Sequence, residues 1–190
     1  MTSGRGRLFV LSGPSGAGKG TLVKHLLERK PEIRLSMSVT TRPLRPGERD
    51  GVHYHFISVP EFNAMRDRGE LLESAEVYGN FYGTPRRPVD ASIASGRDVI
   101  LELDIQGALS VKRGVPDAVL IFIEPPSFDD LRNRLRGRGT EDPETLFRRL
   151  EAAYDEVRRK GVYDHIVIND DINRAVDELV RIIEGSDSER

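Results

Sequence analysis

One short stretch limits the possible folds of this chain more than any other: residues 13–21 read GPSGAGKGT. They directly follow the apolar run RLFVLS and open a segment in which leucine and valine recur at helical spacing. The spacing Gly13-x4-Gly18-Lys19 is that of a phosphate-binding loop, in which backbone N–H groups and a helix N-terminus surround one anion. A strand, loop and helix in this order predict an α/β fold.

The loop sequence indicates a nucleotide triphosphate as ligand. Its candidate contacts are Gly13, Pro14, Ser15, Gly16, Ala17, Gly18, Lys19, Gly20 and Thr21. Lys19 is predicted to reach the β- and γ-phosphates as a mobile positive charge. The residue after this lysine is usually Ser or Thr, whose hydroxyl helps to hold magnesium, but here it is Gly20. Thr21 is therefore the candidate metal ligand.

Four short, continuous apolar runs predict parallel strands that are covered on both faces. They lie at residues 7–12, 98–104, 118–124 and 165–169. Apolar residues at helical spacing predict helices at 18–29, 127–136, 143–160 and 172–184. Ser127 is a candidate N-cap, as is either Asp171 or Asn173 for the last helix. Strands that alternate with helices favour a parallel sheet.

Residues 35–88 interrupt this alternation. Two segments within them, SMSVTTR and VHYHFISV, alternate polar and apolar residues and predict half-exposed strands. Proline and glycine cluster between the two segments. We therefore predict an insertion with a small mixed sheet of its own, within the single domain that a length of 190 residues indicates.

Composition excludes several classes of protein. With 29 Lys and Arg, 31 Asp and Glu and a net charge of −2, the chain is not basic enough for a general nucleic-acid binder. The absence of cysteine excludes disulfide frameworks, zinc thiolate sites and thiol nucleophiles. No apolar run approaches the roughly 18 residues of a membrane span. We expect a cytoplasmic protein without nucleic-acid polymer or membrane partners, either a monomer or a homodimer.

Arginines at positions 42, 45 and 49 occupy a turn-rich segment. Arginine forks suit phosphate oxygens, although a solvated arginine loop would have the same sequence.

Acidic residues end the strand predicted at 98–104. Glu102 and Asp104 stand there, and an acid at the end of a parallel strand near a phosphate loop lies where magnesium or substrate would bind. Asp104 is also a candidate N-cap for a helix that begins near Ile105.

Five separated motifs resemble those of the guanylate kinase family. They read GPSGAGK, SVTTRPLRPGE, YGNFYGTP, ELDIQG and RLRGRGTED, and the resemblance covers about residues 7–184. It implies transfer of the γ-phosphoryl group of ATP to GMP, giving ADP and GDP, with Mg²⁺. It also implies a P-loop NTPase-like parallel sheet core flanked by helices, comprising residues 1–34, 89–131 and 150–190. A GMP-binding mixed α/β insertion would lie at about 35–88, and a helical lid at about 132–149.

The same resemblance implies a role for individual residues. Guanine contacts would be Ser38, Glu73, Thr84 and Asp104. Contacts to the GMP phosphate would be Arg42, Arg45, Tyr54 and Tyr82. The catalytic set would be Lys19, Arg134, Arg138 and Arg149. Asn169 would lie near the adenine, although it could equally cap the final helix. A carboxylate such as Glu73 can accept from the N1–H and N2 amine of guanine, which adenine lacks.

Two alternatives to a guanylate kinase enzyme remain at this point. One is a non-catalytic guanylate-kinase-like binding module. Degenerate modules tend to lose the phosphate loop or the GMP contacts, whereas this chain keeps Lys19, Arg42, Arg45 and Glu73. The other is a P-loop kinase for a different small acceptor, which would share the loop and the lid without the guanine contacts.

Overall fold

The computed structural model describes residues 4–77, 79–136 and 143–185, with residues 143–146 described by their backbone alone. Its strands are β1 (Leu8–Ser12), β2 (Arg34–Leu35), β3 (Val39–Thr40), β4 (His55–Phe56), β5 (Leu71–Val77), β6 (Asn80–Pro85), β7 (Val99–Glu102), β8 (Val119–Glu124) and β9 (His165–Ile168). Its helices are α1 (Lys19–Arg29), α2 (Val59–Asp67), α3 (Arg86–Ala94), α4 (Ile105–Gly114), α5 (Phe128–Arg136), α6 (Pro143–Arg158) and α7 (Ile172–Glu184). A turn of 3₁₀ helix at Lys160–Val162 follows α6.

The apolar runs form a parallel sheet whose strands are hydrogen-bonded in the order β2-β7-β1-β8-β9. Phe9 of β1 lies opposite Val119 of β8, and Ile123 of β8 lies opposite Val167 of β9. Every residue of β1 is buried, as expected for a continuous apolar strand that is covered on both faces. The predicted α/β fold with a parallel sheet core is confirmed.

The elements predicted around this sheet are present, and their ends lie within two residues of the predicted ones. Asp171 caps α7, because its side chain accepts a hydrogen bond from the backbone N–H of Arg174 at 2.9 Å. Ser127 likewise accepts from the N–H of Asp130 at 3.0 Å at the start of α5. Both caps were among the candidates that the sequence offered.

The segment 35–88 contains a mixed sheet, with the described strands in the order β4-β3-β6-β5. β3 runs parallel to β4 and antiparallel to β6, and β5 and β6 form an antiparallel hairpin. A mixed sheet was predicted here, and the resemblance implied a mixed α/β insertion, but the hairpin and the individual helices α2 and α3 were not predicted. The two strands predicted as half-exposed are present as β3 and β4, but each is only two residues long.

Both residues of β3 are buried, which corrects the prediction of a half-exposed strand. Val39 packs against Phe62 and Leu71 in an apolar cluster, and the Thr40 hydroxyl donates to the carbonyl oxygen of Phe81 at 3.0 Å. Alternation of polar and apolar residues therefore failed as an indicator of exposure, because a threonine with its hydroxyl bonded to the backbone can be buried.

The chain divides into two compact units. The first holds the described residues of Met1–Leu8, Ile33–Leu101 and Gln106–Ala118, and the second those of Phe9–Glu32, Glu102–Ile105 and Val119–Arg190. The predicted insertion at 35–88 lies entirely in the first unit. The predicted boundaries of core, insertion and lid stay predictions.

The second unit is held together by packed helices. Ion pairs Arg29–Asp177 and Lys30–Glu184 join the end of α1 to α7. Leu131, Leu135 and Ala153 form a separate apolar cluster between α5 and α6. Within the described ranges, none of the helices combines the length and apolar content that a membrane span requires.

Candidate functional site

The phosphate loop connects β1 to α1, as the sequence predicts. Gly13 and Gly18 have φ angles of 141° and 91°, a region that residues with a side chain rarely adopt. A Cβ atom would lie 2.3 Å from the carbonyl oxygen of Ile123 at the first position, and 2.4 Å from Nδ2 of Asn169 at the second. The backbone conformation therefore requires glycine at both positions, and at Gly13 the close approach of the Ile123 backbone requires it as well.

Lys19 is the first residue of α1 and is half-buried. Its Nζ donates to the carbonyl oxygens of Gly13 at 2.6 Å and of Pro14 at 3.2 Å. Desolvation raises the pKa of Glu102 and of Glu156, and the nearby charge of Lys19 opposes both rises. The ammonium group thus lies over its own loop at a helix N-terminus, where an anion is favoured.

Two side chains from other elements bind the loop. Asn169 follows β9, is 8 % exposed, and donates from Nδ2 to the carbonyl oxygen of Ala17 at 2.7 Å. Arg134 of α5 donates to the carbonyl oxygen of Asn169 at 3.0 Å and to that of Ala17 at 3.4 Å. Both side chains line a cleft of about 370 Å³ together with Gly16, Gly18, Thr21, Asp170 and Ile172. The structure therefore brings a predicted ATP contact and a predicted catalytic arginine to the loop.

An acidic side chain lies beside the loop position that lacks a hydroxyl. A Cβ atom on Gly20 would lie 3.7 and 3.8 Å from the two carboxylate oxygens of Glu102, the last residue of β7. The Glu102 side chain stays open to solvent, although surrounding protein atoms raise its pKa. The sequence placed Glu102 at a strand end where magnesium or substrate would bind, but its distance from Gly20 follows only from the tertiary structure.

Asp104 stands between β7 and α4 and is half-buried. It belongs to the second unit, whereas Ser38, Glu73 and Thr84, the other predicted guanine contacts, belong to the first. Its assignment to guanine stays a prediction.

In the first unit, Arg42 is held in one orientation by several groups. Its side chain is 7 % exposed. Nη1 donates to the carbonyl oxygen of Pro43 at 2.9 Å and to Oε2 of Glu48 at 2.7 Å, and Nη2 donates to Oε1 of Glu48 at 2.6 Å. The guanidinium carbon lies 5.2 Å from the ring centre of Tyr54 and 5.4 Å from that of Phe56. Such cation–π contacts favour a desolvated arginine.

The other predicted ligands of the GMP phosphate lie around Arg42. Tyr82 meets Tyr54 edge to face, with ring centres 6.1 Å apart, and its hydroxyl adds to the rise in the pKa of Arg42 that Glu48 mainly causes. The backbone N–H of Arg45 donates to Oε2 of Glu48 at 2.9 Å. Hydrogen bonding from Arg42 lowers the pKa of Glu48 to about 2. We call Arg42, Arg45, Glu48, Tyr54 and Tyr82 the Arg42 cluster.

Glu48 is the residue of this cluster to which the sequence motifs assign no role. It stands in the motif SVTTRPLRPGE, so a signal was present, but the motif alone does not show which side chains pair.

Glu73 and Thr84 face each other across the β5–β6 hairpin. The Thr84 hydroxyl donates to Oε1 of Glu73 at 2.7 Å, and the two residues are 0 % and 5 % exposed. The Thr84 hydroxyl therefore helps to orient the Glu73 carboxylate, which as an ionised acid offers only acceptors. Ser38, the third predicted contact in this unit, is half-buried just before β3.

The other two predicted catalytic arginines are Arg149 and Arg138. Arg149 lies on α6 and is half-buried. Arg138 lies outside the described residues.

A parallel sheet with a glycine-rich loop between β1 and α1 defines a P-loop nucleotide-binding protein. Comparisons with known proteins narrow this class. A family model described as guanylate kinase matches residues 5–186. A guanylate kinase of Aromatoleum aromaticum is 51 % identical over 181 residues, which cover 95 % of this chain and 89 % of the relative. One of Symbiobacterium thermophilum is 52 % identical over 179 residues, which cover 94 % and 85 %.

A solved structure agrees with these relatives. The crystal structure of guanylate kinase from Anaplasma phagocytophilum is 34 % identical with a TM-score of 0.80, and the match covers 97 % of this chain and 87 % of that one. The chain belongs to the guanylate kinase family, and the resemblance that its motifs carry is confirmed.

Proposed function

We propose that this chain is an enzyme that transfers the γ-phosphoryl group of ATP to GMP, giving ADP and GDP. The observation that carries the proposal is the buried Glu73 carboxylate, oriented by Thr84, in a chain that also forms a phosphate loop. Its relatives named guanylate kinase match nearly the whole chain and support the same activity.

The chemistry demands charge stabilisation more than proton transfer. A phosphate oxygen of GMP is already an anion, so it can attack the γ-phosphorus of ATP without a strong base. As that bond forms, the bond from the γ-phosphorus to the β–γ bridging oxygen breaks, and its electron pair leaves with ADP. Catalysis then consists of positioning and of cations around the moving phosphoryl group. We assign these cations to Lys19, Arg134 and Arg149, with Arg138 as predicted from the sequence.

Guanine selectivity follows from the donors and acceptors of the base. The carboxylate of Glu73 would accept from N1–H and the N2 amine, and the Ser38 hydroxyl would donate to O6 or N7. The Thr84 hydroxyl, predicted as a guanine contact, gives its one hydrogen to Glu73 and would act by orienting that carboxylate. Adenine offers neither donor, so its binding would leave a buried carboxylate without its partners. Sites of this kind discriminate between substrates by roughly 10⁴ or more.

We assign the phosphate of GMP to the arginines and tyrosines of the Arg42 cluster. Planar guanidinium groups bind phosphate oxygens through two hydrogen bonds at once, which fixes direction as well as distance. The packing of Arg42 against aromatic rings supports this role, because a side chain already held in one orientation loses little entropy on binding.

Magnesium is the cofactor that we propose, with ATP as the phosphoryl donor. In the described residues, no group of three or more His, Asp or Glu could hold a metal ion by itself. Mg²⁺ suits such a protein, since it usually keeps several waters and binds one or two protein groups plus substrate phosphates. The Glu102 carboxylate beside Gly20 and the Thr21 hydroxyl fit this need. The ion would neutralise charge on the phosphates.

The alternative of a non-catalytic binding module is not favoured, because the curated relatives named above are kinases and the phosphate loop is complete apart from Gly20. The cytoplasmic location, the monomeric or homodimeric state and the absence of polymer or membrane partners stay predictions.

The decisive experiment measures ADP formation from ATP and Mg²⁺ with GMP, AMP, CMP and UMP as separate acceptors. We expect turnover with GMP, at least 10³-fold lower kcat/KM with AMP, and loss of activity when EDTA removes the metal. A preference for AMP, or no turnover with any acceptor, would contradict the proposal.

A further inference from the structure

Glu48 lies between the two arginines that we assign to the GMP phosphate. Its Oε1 accepts from Nη2 of Arg42 at 2.6 Å, and its Oε2 accepts from Nη1 of Arg42 at 2.7 Å and from the backbone N–H of Arg45 at 2.9 Å. The Glu48 side chain is 18 % exposed. One carboxylate thus joins both arginines through three hydrogen bonds.

These bonds determine which edge of the Arg42 guanidinium can meet a ligand. The group carries five N–H donors. Two point end-on at Glu48 and a third, on Nη1, serves the carbonyl oxygen of Pro43. These three bonds do not use the side edge formed by Nε and the second hydrogen of Nη2; the Tyr82 hydroxyl, another predicted ligand of the GMP phosphate, is a further partner of the guanidinium. This edge presents two parallel donors, the arrangement that binds two oxygens of one phosphate.

We infer that Glu48 is a positioning residue for the acceptor phosphate: it turns the side edge of Arg42 toward the phosphate and fixes the start of the loop at Arg45. The inference rests on the proposed function. It concerns orientation rather than charge, because Glu48 itself makes no contact with the nucleotide in this arrangement.

Two explanations of Glu48, that it orients Arg42 or that it acts only through its negative charge, predict opposite changes in GMP binding. A carboxylate next to an anion site repels the anion, so removal of the charge should tighten GMP binding if charge alone mattered. The same removal should weaken GMP binding if Glu48 acts by holding Arg42. The sign of the change therefore tests the inference.

The experiment is calorimetric titration of the full chain and of Glu48→Gln with GMP and with guanosine. Glutamine keeps the volume but presents an NH₂ group to a donor, so at least one of the three hydrogen bonds is lost. We expect the Kd for GMP to rise about tenfold or more. The Kd for guanosine, which has no phosphate, and the KM for ATP should stay within about twofold.

The chain offers a matched control. Arg68 and Glu70, in the same unit, form another two-bond pair, at 2.8 and 2.9 Å, on an exposed surface. Glu70→Gln should leave the Kd for GMP unchanged. A combination of Glu48→Gln with Arg42→Lys should lose little more than Arg42→Lys alone, because lysine cannot form the paired bonds and both changes remove the same interaction.

Several outcomes would overturn the inference. They are unchanged or tighter binding of GMP by Glu48→Gln, equal weakening of GMP and guanosine, and full additivity with Arg42→Lys. If Glu48→Gln does not fold, Glu48→Asp takes its place. It keeps the charge but is one methylene shorter, and it should weaken GMP binding selectively by a smaller factor. The proposed function is tested separately by turnover of GMP by the unchanged chain, so its failure cannot be mistaken for a failure of this inference.

Discussion

The phosphate loop of the second unit and the Arg42 cluster of the first are both assigned to phosphate, yet they are constructed in different ways. The loop is formed by backbone, with glycines at positive φ and a lysine whose ammonium lies on the carbonyl oxygens of its own loop. The Arg42 cluster is formed mainly by side chains, with the Glu48 carboxylate paired to one guanidinium and the Tyr54 ring against it.

This difference indicates where selectivity lies. Backbone N–H groups recognise the phosphates that all nucleoside triphosphates share. The Arg42 cluster and the Glu73–Thr84 pair instead lie in one unit and use side chains, whose donors and acceptors can match one acceptor nucleotide. Changes in the loop should therefore lower turnover with every acceptor, and changes in the first unit should alter the response to GMP in particular.

The largest effect is expected at Lys19. Replacement by methionine keeps the length of the side chain and removes its charge, so kcat should fall by about 10³-fold while the fold is retained. Initial rates with saturating ATP and GMP, together with circular dichroism, check this. Lys24→Met, an exposed change on the same helix, is the control and should keep the rate. A decrease of less than tenfold for Lys19→Met would remove it from catalysis.

A smaller and more selective effect is expected at Glu73. Glu73→Gln replaces an acceptor oxygen by a donor in a buried position, so kcat/KM for GMP should fall by about 10²-fold with little change in the KM for ATP. Glu76→Gln on the same strand is the matched control, because Glu76 is exposed. A fall in ATP affinity instead would contradict the assignment of Glu73 to the GMP site.

The two units can also be compared through acid stability, because each contains a carboxylate whose pKa is lowered by an arginine. Arg42 lowers the pKa of Glu48 to about 2, and Arg174 lowers that of Asp170 to about 2. In both cases the folded-state pKa lies below the unfolded one, so the stabilisation is present above about pH 5 and is lost as the pH falls toward 2. The Glu48 side chain is largely buried, so its ionisation should contribute on the order of 1 kcal/mol to the free energy of unfolding. Asp170 lies on the surface, and its contribution should be smaller.

Urea unfolding of the unchanged chain, Glu48→Gln and Asp170→Asn between pH 7 and pH 3 measures these contributions. The stability difference caused by Glu48→Gln should shrink as the pH falls and should exceed that of Asp170→Asn at pH 7. A difference that is constant across this pH range would show that the pair with Arg42 does not supply it.

The smallest effect is expected from a side chain added at Gly20, in the phosphate-loop motif. Gly20→Ser places a Cβ atom at ordinary van der Waals distance from Glu102, so stability should change by less than about 0.5 kcal/mol. Its hydroxyl should lower the Mg²⁺ concentration needed for half-maximal rate by a few fold. Thermal unfolding and a Mg²⁺ titration check both statements, and a strong destabilisation would mean that the space beside Gly20 is not available.

Elements whose signals are local could be predicted from the sequence. The strands of the parallel sheet, the helices that alternate with them and the phosphate loop all depend on runs or spacings within a few residues. The helix α2 was missed although it carries such a signal, a capping box formed by Ser58 and Glu61 with Pro60 in the first turn. The β5–β6 hairpin was missed because its strands do not alternate strictly: Leu71, Leu72 and Glu73 are all buried at a point where the register shifts.

Sequence by itself determined the α/β class, the position of the loop and membership in the guanylate kinase family, because these follow from short motifs and from the period of apolar residues. Tertiary structure alone decided that Glu48 pairs with Arg42, that Thr84 orients Glu73 and that Glu102 lies beside Gly20. The physical reason is that a charged or polar side chain gains a defined role only when folding removes it from water and supplies a partner at hydrogen-bond distance. Whether such a partner is present depends on strand register, turns and burial rather than on any single stretch of the chain.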